Sequence, residues 1–370
     1  MGPEPRTGAL DGLRGLAALS VVAFHVWLYR PERVPGTRMG LGDHLFFELH
    51  LGLICFFVLS GFLLYRGLLR RPDFKRYAVR RIARIVPAYY VSIAGCVVLF
   101  AALGLDDLIP PTRSLPLFLA FGQNYFSDTL MEINPVTWTL CVEAAFYVAL
   151  PLIALVRSGR ACVTLLLSLI AATLVWNALT YGGAWTDVSE KTLPAYAGHF
   201  ALGMLVALWV ESRRERLTSL STGALAAAGV LVVAASGWWY ETPGLLPDAR
   251  ALVLKLPAAL GFALIVAAVT AGRGFAVNLL SARPLVWAGV VSYGVYLWHL
   301  PLIIIGNDLA VLPEGVAPRL AVVTAGALAA GWASWTLVER PAIRWTTGYG
   351  APARAGRSAA GSRYPTTTTS

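Results

Sequence analysis

The sequence predicts an all-α fold, a polytopic integral membrane helix bundle with about ten transmembrane helices. Hydrophobic residues make up 57% of the 370 residues and charged residues only 14%, whereas ordinary soluble domains have roughly 45–50% and 25%. Runs of about 20 apolar residues, which are long enough to cross a bilayer core, recur along most of the chain. We therefore predict one membrane domain over residues 1–345 and a disordered cytoplasmic tail over residues 346–370.

The predicted helices follow the apolar runs in chain order. The first run contains Asp11 and Arg14 and has no small-residue cleavage site, so we expect a retained membrane helix rather than a signal peptide. The apolar stretch 114–126 is too short to span a bilayer, and we expect a re-entrant or interfacial piece there. The predicted helices cover residues 10–29, 46–65, 85–104, 138–156, 161–180, 193–210, 220–240, 251–271, 285–305 and 316–338.

The distribution of basic residues predicts the orientation of the chain. Short cytoplasmic loops of membrane proteins are enriched in Lys and Arg, and this chain has a formal net charge of +10. Every second loop is basic, so we expect both termini in the cytoplasm. The expected location is the cell membrane (plasma or inner membrane). The expected partner is membrane lipid, and no nucleic acid is expected. The most basic loop contains Arg66, Arg70, Arg71, Lys75, Arg76, Arg80, Arg81 and Arg84.

Few ionisable residues lie inside the predicted helices. A charged side chain in a bilayer is costly, so each of these residues is a hypothesis for a functional site. His199 is interpreted as structural. The four cysteines lie in or beside apolar runs without metal-ligand spacing, so we expect no metal site. The ionisable residues are Asp11, Arg14 and His25 on the first helix, Glu143 on the fourth, His199 on the sixth and His299 on the ninth.

The first predicted helix carries the sharpest geometry. Arg14 and His25 are eleven residues apart, which places them within about 20° on one face and roughly 16 Å apart along the axis. Asp11 falls on the same face, where a structural i, i+3 pair with Arg14 is the alternative. By predicted depth, His25 and Glu143 share one polar layer. A carboxylate bonded to the imidazole would make His25 a candidate general base, and a buried structural contact is the alternative.

Six segments occur in a fixed order: LDGLRGLAA at 10–18 followed by His25, FFVLSGFLL at 56–64, RRIARIVPAYY at 80–90, WTLCVEAAFY at 138–147, SYGVYLWHLP at 292–301 and ERP at 339–341. The series resembles the acyltransferase 3 family of multi-helix membrane proteins, which O-acylate sugars, cell-wall polymers and secondary metabolites. The most specific part is Arg14 followed, after ten residues, by His25. Ala144 and Ala145 replace a frequent Glu-Gln pair, so no second carboxylate is expected beside Glu143. The resemblance is to stand-alone members, without the SGNH hydrolase-like domain that others carry.

The resemblance implies an acyl-CoA-dependent O-acyltransferase that moves an acetyl or other short acyl group to a hydroxyl of a sugar, glycolipid, cell-wall precursor or secondary metabolite. His25, oriented by Glu143, would be the general base, and an acyl-imidazole on His25 is the alternative route. Acyl-CoA is expected as donor substrate, with no bound cofactor. Its phosphates are expected on Arg14, Arg80, Arg81 and Arg84, because Arg binds phosphate oxygens bidentately. Candidates for acceptor contacts are Asp11, Tyr293 and His299, although structural hydrogen bonds are an equal alternative for the latter two.

Two other functions remain open from the sequence. A transporter or flippase of acyl groups or lipid-linked solutes would also place ionisable residues inside the bundle, but it should show broken helices in two repeated halves, and none is visible in the sequence. The second alternative function is that of a non-catalytic scaffold with the same fold. The basic loop also has an ordinary interpretation, as a topology determinant that contacts anionic lipid.

Overall fold

The computed structural model describes residues 8–33, 40–156, 158–181, 187–213, 217–241 and 255–347, which form helices joined by turns and short loops, with no strand among them. The tail was predicted from residue 346. Residues 346 and 347 are the last two residues of the final helix, and residues 348–370 lie outside the described part. The α-helices are α1 (Gly8–Leu28), α2 (Leu41–Glu48), α3 (Gly52–Arg70), α4 (Phe74–Leu103), α5 (Leu115–Leu119), α6 (Trp138–Ile153), α7 (Gly159–Tyr181), α8 (Leu193–Ser212), α9 (Ser219–Glu241), α10 (Leu256–Ala271), α11 (Phe275–Leu280), α12 (Arg283–Asp308), α13 (Val316–Ser334) and α14 (Arg340–Thr347).

The described helices confirm a polytopic membrane fold. Nine of the helical segments in the described ranges are long and apolar enough to cross a bilayer. The predicted helix 251–271 is described from Leu256 as the 16-residue helix α10, and residues 251–254 lie outside the described part. The stretch 114–126 holds only the five-residue helix α5 and 3-10 turns, as expected for a segment too short to span.

Helix α4 begins well before its predicted start at residue 85. The side chain of Asp73 accepts a hydrogen bond from the backbone N–H of Arg76 and caps the helix, and Lys and Arg are good helix formers. The apolar run alone therefore underestimated this helix. As a consequence, the basic residues from Lys75 to Arg84 lie on helix α4 rather than in a loop.

Helix α1 packs closely against α12, and this packing fixes the position of the face that carries Arg14 and His25. A Cβ on Gly289 would lie 1.8 Å from the carbonyl oxygen of Asp11, and a Cβ on Gly15 would lie 2.3 Å from that of Leu285. Only glycine permits this approach of two backbones. Farther along the same helix pair, the contact brings His25 of α1 beside His299 of α12.

Candidate active site: two cavities along one helix

Two cavities lie along α1. The first, here called the arginine cavity, has a volume of about 300 Å³ and is lined by Arg14, Arg80, Arg81, Arg84, Ser60, Glu143, Tyr147 and Tyr293, among others. The second, the histidine cavity, has a volume of about 270 Å³ and is lined by residues that include His25, Tyr29, His50, Trp138, Tyr196 and Lys255. The predicted face of α1 therefore borders two cavities, with Arg14 at the arginine cavity and His25 at the histidine cavity.

The hydrogen bonds of His25 define its tautomer. Its Nδ1 lies 2.9 Å from the carbonyl oxygen of Val21 and 3.1 Å from Nε2 of His299. A carbonyl oxygen can only accept, so in the neutral ring Nδ1 of His25 carries the proton. The same argument applies to His299, whose Nδ1 lies 3.2 Å from the carbonyl oxygen of Val295, so its Nε2 is the acceptor. Nε2 of His25 is left with the lone pair that a general base needs.

His299 is fully buried and is absent from the lining of either cavity described above. Its side-chain hydrogen-bond partner is His25, so His299 has the structural hydrogen bond that was the alternative to an acceptor contact. The spacing of residues cannot show such a pairing, because it depends on how α1 and α12 pack. The two glycine contacts between these helices set that register.

Glu143 does not orient His25. Its carboxylate accepts hydrogen bonds from Oγ of Ser60 at 2.8 Å and from the hydroxyl of Tyr147 at 2.7 Å, and it lines the arginine cavity. Predicted depth in the membrane placed Glu143 level with His25, but depth says nothing about the direction in which a side chain points. The predicted pairing is therefore corrected: His299 and the carbonyl of Val21 hold the imidazole instead.

The predicted arginines share one cavity but differ in their partners. Arg14, Arg80 and Arg81 line it together. Arg84 also lines it, yet its Nη1 lies 2.7 Å from Oε2 of Glu339, whose side chain is fully buried. An ion pair of this kind offsets the charge of the guanidinium. Among the predicted arginines, Arg80 and Arg81 are therefore the better candidates for binding an anion.

Two other predicted contacts lie away from the histidine cavity. Tyr293 lines the arginine cavity and donates a hydrogen bond to the carbonyl oxygen of Ile85 at 2.9 Å. Asp11 is absent from the lining of both cavities, and its backbone packs against Gly289. Tyr293 thus has the structural hydrogen bond that was the alternative to an acceptor contact, and neither residue lines the histidine cavity.

The sequence interpretation missed several polar residues. Tyr147 follows Glu143 by four residues, one helical turn, and this spacing could have indicated the bond between them. Thr139 and Tyr296 each line both cavities, but their positions at the boundary follow from the tertiary packing and leave no signal in the sequence.

Comparisons with known proteins agree with the fold and with the motifs. A family model described as an acyltransferase domain, that of acyltransferase 3, matches residues 7–338. YrhL of Bacillus subtilis strain 168 is 30% identical over 332 residues, which cover 81% of this chain and 49% of YrhL. The peptidoglycan O-acetyltransferase OatA of Listeria monocytogenes is 24% identical over 366 residues, covering 90% of this chain and 55% of OatA. The chain thus spans about half the length of these two relatives.

A third relative matches over most of its length. The acyltransferase MdmB of Streptomyces mycarofaciens is 28% identical over 380 residues, which cover 92% of each protein. No solved structure gives a significant match. The family match spans nearly all of the described helices, and nine described segments could cross a bilayer. The chain therefore belongs to the acyltransferase 3 family and is a multi-pass membrane protein.

Proposed function

We propose that the protein is a membrane-embedded O-acyltransferase that moves an acetyl or other short acyl group from acyl-CoA to a hydroxyl group of a sugar, glycolipid, cell-wall precursor or secondary metabolite. The observation that carries this proposal is the imidazole of His25, which lines a cavity and whose Nδ1 lies against a backbone carbonyl oxygen and a second imidazole. In the neutral ring this arrangement leaves the lone pair on Nε2. The names of OatA, a peptidoglycan O-acetyltransferase, and MdmB, an acyltransferase, support the reaction class.

The chemistry follows from the tautomer of His25. Nε2 accepts the proton of the acceptor hydroxyl while the hydroxyl oxygen forms a bond to the thioester carbonyl carbon. The carbon–sulfur bond then breaks, and the departing thiolate of CoA takes the proton from the imidazolium. During this step the Nδ1–H bonds to Val21 and His299 hold the ring in place. Transfer through an acyl-imidazole on Nε2 is the alternative route, and ping-pong kinetics would identify it.

The donor would bind with its phosphates in the arginine cavity. Arg14, Arg80 and Arg81 line this cavity, and guanidinium groups bind phosphate oxygens with charge-assisted, bidentate hydrogen bonds. A carboxylate in such a cavity repels phosphate, so Glu143 suits another part of the donor. It can accept hydrogen bonds from the amide N–H groups and the hydroxyl of the pantetheine arm.

The test is transfer of labelled acetyl from acetyl-CoA to a panel of hydroxyl acceptors, with purified protein in lipid vesicles. We expect transfer by the wild type and a loss of about 10²–10⁴-fold in the rate with His25→Ala, the usual contribution of a general base. His44→Ala is the matched control, because His44 lies on α2 outside the lining of both cavities. Equal turnover by His25→Ala would contradict the mechanism, and movement of label across the vesicle without transfer would indicate a transporter.

A further inference from the structure

The two cavities share a wall. Leu53, Thr139 and Tyr296 line both of them. The hydroxyls of Thr139 and Tyr296 lie 2.8 Å apart, and each also lies 3.0 Å from the carbonyl oxygen of Val136. Both side chains are buried. A closed hydrogen-bonded set therefore stands between the arginine cavity and the histidine cavity.

Neither cavity alone can accommodate the reaction proposed above. The arginines that suit the donor phosphates line one cavity, whereas His25 lines the other. Along α1, Arg14 and His25 are separated by roughly 16 Å of helix rise. A donor held by its phosphates in the arginine cavity can bring its thioester to Nε2 of His25 only across the boundary between the cavities.

The shared wall is well suited to open. Thr139 and Tyr296 each have one hydroxyl proton, and the carbonyl oxygen of Val136 can accept from either of them or from both, because it has two lone pairs. Two protons can make only two of the three contacts, for example from Tyr296 to Thr139 and from Thr139 to Val136. Separation of the two side chains then breaks one neutral hydrogen bond while Thr139 keeps Val136 as its acceptor, and a carbonyl group of the entering pantetheine arm could accept the proton that Tyr296 no longer donates to Thr139.

We infer that the passage through which the thioester end of the acyl-CoA donor reaches His25 lies between Thr139 and Tyr296, beside Leu53, and that the hydrogen bond between the two hydroxyls holds it closed. This inference rests on the proposed function. The closed wall has a chemical use, because it keeps the thioester of a donor in the arginine cavity away from His25, which could also activate water against the thioester.

The first test opens the wall. Thr139→Val and Tyr296→Phe remove one hydroxyl each with little change of shape, and in each variant the other hydroxyl keeps Val136 as acceptor. We expect hydrolysis of acetyl-CoA without acceptor to rise about fivefold, the population change that corresponds to one neutral hydrogen bond, together with a lower KM for acetyl-CoA. The matched controls are Thr336→Val and Tyr89→Phe, since both residues bond to backbone carbonyls outside the two linings.

The second test narrows the passage. Leu53→Phe enlarges an apolar side chain at the wall, and we expect kcat/KM for acetyl-CoA to fall about tenfold or more, with the KM for the acceptor unchanged. Unchanged hydrolysis in both isosteric variants, or unchanged donor kinetics in folded Leu53→Phe, would overturn the passage. If Leu53→Phe does not fold, the isosteric pair decides alone. Failure of the proposed function looks different, because the wild type would then transfer no acetyl or His25→Ala would remain active.

Discussion

The arginine cavity and the histidine cavity lie on the same helix, yet their polar groups are organised differently. In the arginine cavity, cationic side chains from α1 and α4 face a carboxylate that is held by Ser60 and Tyr147. In the histidine cavity, the imidazole of His25 is held by a backbone carbonyl and by a second imidazole. The first arrangement suits recognition of an anionic ligand, and the second suits a fixed tautomer of the proposed base. Binding and chemistry are therefore expected to respond to different substitutions.

Arg84 lines the arginine cavity but is paired with Glu339. Among the substitutions that bear on this comparison, Arg84→Ala should have the largest effect, a loss of stability. Its partner Glu339 is fully buried, and removal of one member of a buried ion pair leaves the other charge uncompensated. Arg84→Ala should lower the free energy of unfolding by about 3–5 kcal/mol. Thermal unfolding in detergent would measure this loss. The double variant Arg84→Met with Glu339→Gln should recover much of it. A stable Arg84→Ala variant with a raised KM for acetyl-CoA would instead make Arg84 a binding residue.

Substitution of Arg80 and Arg81 should weaken binding of the donor without changing proton transfer by His25. The double variant Arg80→Ala with Arg81→Ala is expected to raise the KM for acetyl-CoA by roughly ten- to a hundredfold, because a hydrogen bond to a charged group contributes about 1.5–3 kcal/mol. Steady-state kinetics at saturating donor should show kcat nearly unchanged. Arg113→Ala, an exposed residue outside both linings, is the matched control. An unchanged KM in correctly folded protein would exclude phosphate binding at these two residues.

Substitution of His299 should lower kcat and leave the KM for acetyl-CoA unchanged, the reverse of what is expected for Arg80 and Arg81. His299→Ala removes the acceptor for Nδ1–H of His25, so the ring loses one of its two fixed contacts, and kcat should fall about tenfold with an unchanged KM for acetyl-CoA. His299→Gln provides an amide oxygen as acceptor and should restore part of the rate. A purely structural role predicts that stability and activity fall together in both variants, so unfolding temperatures recorded beside kcat distinguish the two.

Glu143 should give the smallest effect and sharpen the contrast between the cavities. Glu143→Gln keeps the shape and removes the charge, so we expect a change of about two- to fivefold in the KM for acetyl-CoA, which corresponds to one weakened hydrogen bond. The kcat should stay close to the wild-type value. A fall in kcat as large as that of His299→Ala would restore the original hypothesis that Glu143 orients His25.

The sequence predicted the features that depend on one helix at a time. Hydropathy gave the membrane spans, and the 3.6-residue period placed Arg14 and His25 on one face of α1, where both line cavities. The sequence failed where two helices meet. Predicted depth suggested Glu143 as the partner of His25, but the packing of α1 on α12 brings His299 there. The start of α4 was missed for another reason, since charged helix formers after the Asp73 cap extend it beyond its apolar run.

The central claim is that one donor occupies both cavities, and a structure of His25→Ala with acetyl-CoA in a lipid nanodisc tests it most directly. We predict the phosphates of CoA within hydrogen-bond distance of Arg80 and Arg81, the pantetheine arm between Thr139 and Tyr296, and the thioester in the histidine cavity. A thioester that remains in the arginine cavity, with the Thr139–Tyr296 hydrogen bond intact, would contradict the account.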